Sequence, residues 1–339
     1  MLRVGIVGCG RIVEEGHAPA FEELAGRFQV VALADPVEER RVALGDRFGV
    51  AAARRYADYR DLLSAGALDL IDIAVPHFLH AEICLAAAAT GVPIVMEKPM
   101  ATSREECDAI MAAVRAAGVP ACIIHNYLRH PWVEAARHAI EHGALGKTFL
   151  FRSEGMSRRS YPGTKAYDPA WRTRRAAGGG GALIDNGYHN LYTGTALLRS
   201  PVREVYARTG AFLHAHDVED TAALLLTHAS GALSTILVAW SGHSAQPVNE
   251  IHGEGGSIRV EGQGRETRAV LYTDAGSVPL ERPDPGAPQG FAAVFRDLAE
   301  ALDAGREPPY PFEVGYANIE VVFAAYESAR TGKPVRVGG

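Results

Sequence analysis

A lysine that directly follows an apolar run is the first residue whose position could support chemistry. In the stretch "VMEKPMA", residues 95–101, Glu97 and Lys98 come straight after residues typical of a buried strand. Charged groups there are costly to desolvate unless something pairs with them, so the stretch predicts a ligand. A lysine ammonium in that place can bind the oxygen of an alcohol or carbonyl group and stabilise charge on it. The alternative is a surface lysine in a weak ion pair with Glu97.

A second signal is an aspartate that stands four residues before a histidine. In "AGGGGALIDNGYHN", residues 177–190, Asp185 and His189 would share one face of a helix. A carboxylate beside an imidazole favours its charged form or fixes its tautomer, and the ring can then take a proton from a substrate hydroxyl. The glycines at 178–181 predict a loop that lets a ligand approach closely. The alternative is an Asp/His pair on a helix surface, without chemistry.

A glycine-rich turn near the start of the chain predicts a phosphate-binding site. In "VGIVGCGRIV", Gly8 would permit a tight strand-to-helix turn, and Gly10 would let a pyrophosphate approach the backbone. The third glycine of the usual GxGxxG pattern is replaced by Val13. The next apolar run ends at Asp35, whose carboxylate can bond both ribose hydroxyls of NAD and repels the 2′-phosphate of NADP. We therefore predict NAD in preference to NADP, although Asp35 before a proline can also simply start a turn.

The elements around these residues predict a two-domain α/β protein. Residues 1–123 alternate short apolar runs with amphipathic helical stretches, which indicates a doubly wound, parallel Rossmann sheet covered on both faces. Residues 124–339 contain longer strands joined by tight turns, so we expect an α+β domain with a large, mostly antiparallel open sheet. We expect the first domain to bind the dinucleotide and the second to bind the substrate.

Composition and charge argue against several classes of partner. The 339-residue chain is 47% apolar and 22% charged with a net charge of −6, which is typical of a globular protein without a basic field. We therefore expect a small-molecule substrate and neither nucleic acid nor membrane as a partner. The four cysteines form no CxxC pair, no run of about eighteen apolar residues occurs, and the N-terminal apolar run is too short for a signal peptide. These features predict a cytoplasmic protein.

Together, these segments resemble a known enzyme family. The segments "GCGRIV", "HFLHAEICLAAAATGVPIVMEKPMA", "GGGGALIDNGYH" and "HDVEDTAALLLTHASGALSTI" are similar to the Gfo/Idh/MocA oxidoreductases, named for glucose-fructose oxidoreductase, inositol dehydrogenase and a rhizopine catabolism protein. The EKP stretch combined with a later glycine-rich Asp-x-x-x-His is more specific than either motif alone. The resemblance implies hydride transfer between NAD(P) and a secondary alcohol or aldehyde of a sugar, cyclitol or related polyol. It also implies a homodimer or homotetramer that assembles through the open sheet of the second domain.

The resemblance further implies which residues form the site. By their match to the family motifs, the residues expected to be catalytic are Lys98, Asp185 and His189. The residues expected to bind the cofactor are Gly8, Gly10, Arg11, Ile12, Asp35, Pro76, His80, Glu97 and Lys98. The residues expected to bind the substrate are Asn126, Tyr161, Arg172, Asp185 and His189.

Two positions near the expected substrate site depart from the family pattern. An aspartate often follows the motif histidine by three residues, and Tyr192 stands there in this chain. The common Asn-x-Arg becomes "NYLR" after Asn126, which moves Arg129 by one place. Both changes leave the identity of the sugar open, whereas the cofactor assignment is little affected.

Several alternatives stay open at the level of sequence. The same fold could serve an NAD-dependent glycosidase that uses transient oxidation, or a non-catalytic NAD-binding regulator. We expect no metal site, because the histidine pairs within 138–142 and 214–216 lack a third ligand in a recognised spacing. The basic stretch at 152–175 either is a solvated loop or recognises an anionic substrate. The physiological direction of the reaction and the choice between dimer and tetramer are also open.

Overall fold

A computed structural model gives the fold and describes residues 1–158, 169–243, 247–262 and 267–338. The described chain divides into two compact units. The first holds Met1–Ile124, Gly290–Tyr316 and a short segment that ends at Trp171. The second holds the rest of the described residues.

The strands of the two units are numbered in chain order. They are β1 (Leu2–Val7), β2 (Phe28–Ala34), β3 (Arg55–Tyr56), β4 (Leu70–Ile73), β5 (Ile94–Met96), β6 (Ala121–Ile123), β7 (Thr148–Met156), β8 (Val202–Gly210), β9 (Thr221–His228), β10 (Leu233–Ala239), β11 (Val248–Gly253), β12 (Gly256–Glu261), β13 (Arg268–Thr273), β14 (Gly276–Leu280) and β15 (Val335–Arg336).

The helices follow the same numbering. They are α1 (Ala18–Glu23), α2 (Glu38–Phe48), α3 (Tyr59–Ser64), α4 (His80–Ala88), α5 (Arg104–Ala117), α6 (Pro131–Glu141), α7 (Arg175–Gly178), α8 (Tyr188–Leu198), α9 (Gly290–Asp303) and α10 (Phe312–Thr331). Two of them continue from π-helical turns, Val13–His17 before α1 and Leu183–Gly187 before α8. A bilayer-spanning helix is not found among the described residues.

Helix α5 illustrates how local sequence sets the ends of these elements. The Ser103 hydroxyl accepts a hydrogen bond from the Glu106 amide, and the Glu106 carboxylate accepts one from the Ser103 amide. This reciprocal pair satisfies amides that the first helical turn leaves without partners. Gly118 then ends the helix with a φ of 63°, a left-handed conformation that favours glycine.

The first unit is built on a six-stranded parallel sheet, which confirms the predicted Rossmann arrangement. The strand order is β3-β2-β1-β4-β5-β6, and every pair is parallel. Strands β4 and β5 are buried along their whole length, which explains their unbroken apolar sequence. The order reverses between β1 and β4, and sheets of this kind bind ligands beyond the carboxyl ends of the strands at such a point.

The second unit contains a nine-stranded, mostly antiparallel sheet, which confirms the predicted α+β architecture. The order is β14-β13-β12-β11-β7-β10-β9-β8-β15, and the pair β7 and β10 is the parallel one. Burial alternates along β9 and β10, so one face of these strands is covered. The opposite face exposes large apolar side chains, including Leu225 and Leu233.

The predicted domain boundary at 123/124 coincides closely with the first break between the units. Residues 290–316, which the sequence placed with the second domain, lie instead in the first unit. The reason is apolar packing, because the Phe295 ring of α9 lies 4.4 Å from that of Phe21 and 6.1 Å from that of Phe28. The dinucleotide-binding and substrate-binding roles of the two domains remain predictions.

Candidate active site

The turn after β1 admits only glycine at its first motif position. Gly8 has a φ of 96°, and a Cβ built on it would lie 2.3 Å from the carbonyl oxygen of Ala74. Gly10 differs, because a Cβ there would meet no described atom within 4 Å. The fold itself therefore requires Gly8, whereas the backbone at Gly10 can be approached closely. Val13, at the third motif position, is fully buried.

A buried carboxylate is fixed beside this turn. The Cys9 amide donates to Asp35 Oδ2 at 2.8 Å, and the Val37 amide donates to Oδ1 at 2.9 Å. Two arginines border the same residue, since Arg41 donates to the Asp35 carbonyl at 2.7 Å and Arg40 Nη1 lies 4.0 Å from Oδ1. The end of β2 is thus tied to the glycine turn after β1.

The residues predicted to bind the cofactor come together at one edge of the parallel sheet. The glycine turn with Arg11 and Ile12 follows β1, Asp35 follows β2, Pro76 follows β4, and Lys98 follows β5. These four strands are neighbours, so their carboxyl ends meet. The arrangement fits a dinucleotide across the switch point, although the individual contacts remain predictions.

His80 holds two of these loops together. Its Nδ1 lies 2.7 Å from the Pro99 carbonyl oxygen, and its Nε2 lies 2.9 Å from that of Val75. Burial lowers the pKa of His80, and a neutral ring donates from one nitrogen at a time. The ring therefore links the loops after β4 and β5, while its predicted contact with the cofactor stays a prediction.

The charged residues after β5 have protein partners that the sequence did not reveal. Lys98 is half-buried and is joined to Pro99 by a cis peptide bond. Its amide donates to Glu97 Oε2 at 3.0 Å, and the Glu97 amide donates to the Ile73 carbonyl oxygen at 2.9 Å. These bonds fix the backbone at Glu97 within the first unit.

The partner of Glu97 is a fully buried histidine. His17 Nδ1 lies 2.8 Å from Asp72 Oδ2, and His17 Nε2 lies 3.1 Å from Glu97 Oε1. Burial alone lowers the pKa of His17, but the charges and hydrogen bonds of Asp72 and Glu97 outweigh it and raise the pKa to about 10. Sequence reasoning missed this cluster. Asp72 inside the apolar run "LIDIAVP" was the available signal, because a carboxylate in a buried strand needs a partner.

In the second unit, the histidine of the glycine-rich motif is held by aromatic residues. His189 Nδ1 lies 2.7 Å from the Tyr192 hydroxyl oxygen, which also accepts from the Tyr127 amide at 3.2 Å. The Tyr127 ring stacks on the His189 ring with centroids 4.0 Å apart. Tyr192 is stacked in turn on His125 at 4.1 Å. Tyr192, which departs from the family pattern, therefore bonds this imidazole.

Asp185 precedes His189 in a wider turn than the sequence predicted. The spacing assumed an α-helix, but Asp185 lies in the π-helical turn Leu183–Gly187. Arg172 Nε lies 3.4 Å from Asp185 Oδ2, so these two predicted substrate residues are brought together. Burial, and then the Asp185 charge, raise the pKa of the Tyr127 phenol. The predicted partnership of Asp185 with His189 stays a prediction.

The glycine loop before this turn is required by packing within the unit. A Cβ on Gly180 would lie 1.9 Å from the Tyr326 hydroxyl oxygen, and one on Gly181 would lie 2.0 Å from the Glu219 carbonyl oxygen. Glu219 Oε1 also accepts hydrogen bonds from the amides of Gly181 and Leu183, at 2.9 and 3.0 Å. Sequence reasoning attributed these glycines to ligand approach, whereas the neighbouring atoms of the chain itself explain the two that are most tightly packed.

The structure gives less information on the other residues that were predicted to bind the substrate. Asn126 is half-buried at the start of a short 3-10 turn, and Tyr161 lies outside the described residues. Arg129, the shifted arginine, pairs with Glu134 at 3.0 Å. Glu134 also pairs with Arg282 at 2.8 Å, so the shifted guanidinium belongs to a largely buried ionic group.

Arg152, at the start of the basic stretch 152–175, is paired with carboxylates. Arg152 lies in β7 and pairs with Glu154 and Glu250, at 2.6 and 3.4 Å. Residues 159–168 of this stretch lie outside the described residues, so the predicted choice between a solvated loop and an anion site stays open there. Within the described residues, no group of three or more metal-binding side chains is found.

Comparison with protein families gives two adjacent matches. Residues 2–125 match the NAD-binding Rossmann fold of the Gfo/Idh/MocA oxidoreductase family. Residues 133–259 match the C-terminal domain of the same family. The two matches correspond to the parallel sheet with its glycine turn and to the segment that carries the glycine-rich Asp-x-x-x-His.

Individual relatives agree with these matches. A putative UDP-kanosamine synthase oxidoreductase subunit from Amycolatopsis mediterranei is 31% identical over 75% of this chain and 73% of its own length. D-apiose dehydrogenase from Paraburkholderia graminis is 29% identical over 98% of this chain and 88% of its own. A solved structure of levoglucosan dehydrogenase with NADH and levoglucosan is 25% identical, covers 100% of both chains and has a TM-score of 0.88. The chain therefore belongs to the Gfo/Idh/MocA family of oxidoreductases.

Proposed function

We propose that this protein is an NAD-dependent dehydrogenase of a sugar, cyclitol or related polyol. It transfers a hydride between the nicotinamide and a secondary alcohol or aldehyde of the substrate. Family membership supports the reaction class, because the matched N-terminal domain is an NAD-binding Rossmann fold. The similarity to dehydrogenases of D-apiose and levoglucosan supports a carbohydrate as the substrate.

The observation that carries the proposal is the fixed carboxylate of Asp35 beside the glycine turn. Amides of Cys9 and Val37 hold its two oxygens in place. A carboxylate held there can accept hydrogen bonds from ribose hydroxyls and repels a 2′-phosphate, which favours NAD. Arg40, 4.0 Å from this carboxylate, weakens the repulsion of a phosphate. We therefore propose a preference for NAD and weaker use of NADP.

In the proposed reaction the protein orients the substrate and handles one proton. When the cofactor is bound, its nicotinamide supplies the hydride chemistry. Lys98 binds the reacting oxygen and stabilises negative charge as it develops there. His189 removes the hydroxyl proton during oxidation and returns it during reduction. Because Tyr192 bonds Nδ1, we assign Nε2 of His189 to the substrate proton, with Asp185 and Arg172 positioning the substrate.

A substrate panel with excess NAD tests this function directly. Purified protein is mixed separately with cyclitols, aldoses, sugar acids and glycosides, and both NADH absorbance and organic products are followed. We expect NADH to accumulate in a fixed ratio to an oxidised carbohydrate. Cleavage of a glycoside without net NADH would replace the dehydrogenase with a glycosidase. NAD binding without turnover of any compound would support a regulatory protein.

We also propose that the protein assembles as a homo-oligomer through the open face of the nine-stranded sheet. The exposed Leu225 and Leu233 on this face support a contact with a second copy. Light scattering measures the molar mass, and Leu225→Arg with Leu233→Arg should reduce it to that of one chain. An unchanged mass in that double variant would contradict this surface. We also propose a cytoplasmic location, which is supported by four buried cysteines that form no CxxC pair.

A further inference from the structure

We infer that His17 is a positioning residue for Lys98 and acts through Glu97. The inference rests on the proposed function, because it concerns how the proposed oxygen-binding lysine is held. It follows from three features of the His17 cluster, the buried group formed by His17, Asp72 and Glu97.

The first feature is that both ring nitrogens of His17 face carboxylate oxygens. Nδ1 lies 2.8 Å from Asp72, which stands in β4, and Nε2 lies 3.1 Å from Glu97, which follows β5. Both nitrogens can donate to these carboxylates when the ring is protonated, and their charges and hydrogen bonds raise the pKa of His17 to about 10, so the ring is an imidazolium. The remaining groups packed on the ring are Phe291 and Phe295 of α9, whose centroids lie 5.0 and 5.3 Å away. Neither can exchange a proton with it.

The second feature is that the two carboxylate oxygens of Glu97 have different partners, His17 and the backbone of Lys98. Oε1 faces the imidazole, and Oε2 accepts the Lys98 amide at 3.0 Å. The orientation of this carboxylate therefore sets the direction in which the chain leaves β5. Because the Lys98 side chain starts from that backbone, the same bond fixes the point from which the ammonium reaches out.

The third feature is the charge of the His17 cluster. His17 and Asp72 are 0% exposed and Glu97 is 7% exposed, so little water reaches them. Without the imidazolium, two buried carboxylates would face each other with no cation between them, which is strongly unfavourable. Glu97 would then turn away from Asp72. That change removes the acceptor that holds the Lys98 amide.

The test compares kcat, KM and the NAD dissociation constant of His17→Gln and Glu97→Gln with those of the wild type. Both substitutions keep a polar side chain but remove one charge of the cluster. We expect kcat to fall about 10- to 100-fold in both variants, the order of loss produced by a small misplacement of a reacting group. NAD affinity should stay close to that of the wild type in His17→Gln, because His17 is not among the residues expected to bind the cofactor. His228→Gln is the matched control, since His228 is also a buried histidine with a hydrogen-bond partner on each ring nitrogen. It should cost thermal stability and leave kcat unchanged.

A double-mutant cycle with Lys98→Met shows whether His17 acts through the lysine. If it does, His17→Gln should cost little further activity once Lys98 is replaced. Equal losses in the two backgrounds would overturn the inference and make His17 a general structural residue. If His17→Gln does not fold, Glu97→Gln in the same cycle gives the answer. Full activity of Lys98→Met alone would instead contradict the proposed function.

Discussion

Two histidines of this protein occupy opposite chemical environments. His17, in the first unit, lies between the carboxylates of Asp72 and Glu97, which raise its pKa to about 10. His189, in the second unit, bonds the Tyr192 hydroxyl. Both rings are buried, and both have aromatic neighbours. They differ in the partner of Nδ1, which is a carboxylate for His17 and a phenol for His189.

The difference separates a histidine that holds structure from one that can handle protons. An imidazolium held by two carboxylates keeps its proton throughout the physiological range, so it cannot act as an acid or base there. His189 bonds a phenol at Nδ1, and we propose that its Nε2 exchanges the substrate proton. We therefore expect the type of hydrogen-bond partner, more than burial, to decide which histidine exchanges a proton. Substitutions in the two environments should differ in kind, from a large loss of rate to a change in the pH dependence of stability.

Loss of the proposed base should have the largest effect. His189→Asn removes the group that takes the hydroxyl proton, and we expect kcat for oxidation to fall by roughly 10² to 10⁴. The ionisation that controls kcat/KM should also disappear from the pH profile. The control is His142→Asn, an exposed histidine at the end of α6. A variant that keeps most of the rate and the wild-type profile would move the base elsewhere, with Lys98 the next candidate.

Removal of the proposed oxygen-binding group should be next in size. Lys98→Met deletes the ammonium but keeps an unbranched side chain, and kcat should fall by about 10², as when one charge-stabilising donor is removed. Titration calorimetry should show that NAD binding survives. Lys147→Met, an exposed lysine before β7, is the matched control. Loss of NAD binding in Lys98→Met with little change in kcat would make the lysine a cofactor contact.

Cofactor preference should change to a smaller degree. Asp35→Ser removes the charge that repels a 2′-phosphate and leaves Arg40 beside the site. We expect the ratio of NADP to NAD dissociation constants to fall about tenfold, the value of one charged hydrogen bond. Asp46→Ser, on the exposed side of α2, should leave the ratio unchanged. Equal constants for both cofactors in the wild type would contradict the assignment of Asp35.

The pH dependence of stability should also differ, and its sign follows from the pKa shift. The pKa of His17 is raised from 6.5 to about 10 on folding, so its contribution is fully present below pH 6.5 and is lost as the pH rises towards 10. Urea unfolding should therefore show the wild type losing more stability than His17→Gln over this interval. Parallel curves would mean that His17 is not charged in the folded protein.

The sequence predicted the parts of the fold that depend on local pattern. The unbroken apolar runs of β4 and β5 indicated a parallel sheet, and Gly8 and Asp35 indicated the turn at its edge. Local pattern failed where packing between distant segments decides. Residues 290–316 join the first unit because Phe295 packs on Phe21 and Phe28. Helical periodicity predicts an apolar face but not the segment against which it packs.

The sequence named candidate residues for the site, whose roles stay predictions, but it did not reveal their interactions. Lys98, Asp185 and His189 stand out by type and spacing, since chemistry of this kind needs these groups. Their partners do not stand out, because His17 is 80 residues from Glu97 in the sequence. Tyr192 stood out only as a departure from the family pattern. Its bond to His189 depends on how these two side chains of α8 are oriented.

The comparison between the two histidines is tested most directly by nitrogen NMR. Protein labelled with ¹⁵N-histidine is measured between about pH 5.5 and 8.5, a range that spans the ordinary titration of histidine. The spectra of His17→Gln and His189→Asn assign the two rings. We predict that both nitrogens of His17 stay protonated throughout, while His189 loses one proton within the range. A neutral His17 at the upper end, or a His189 whose charge never changes, would contradict the account.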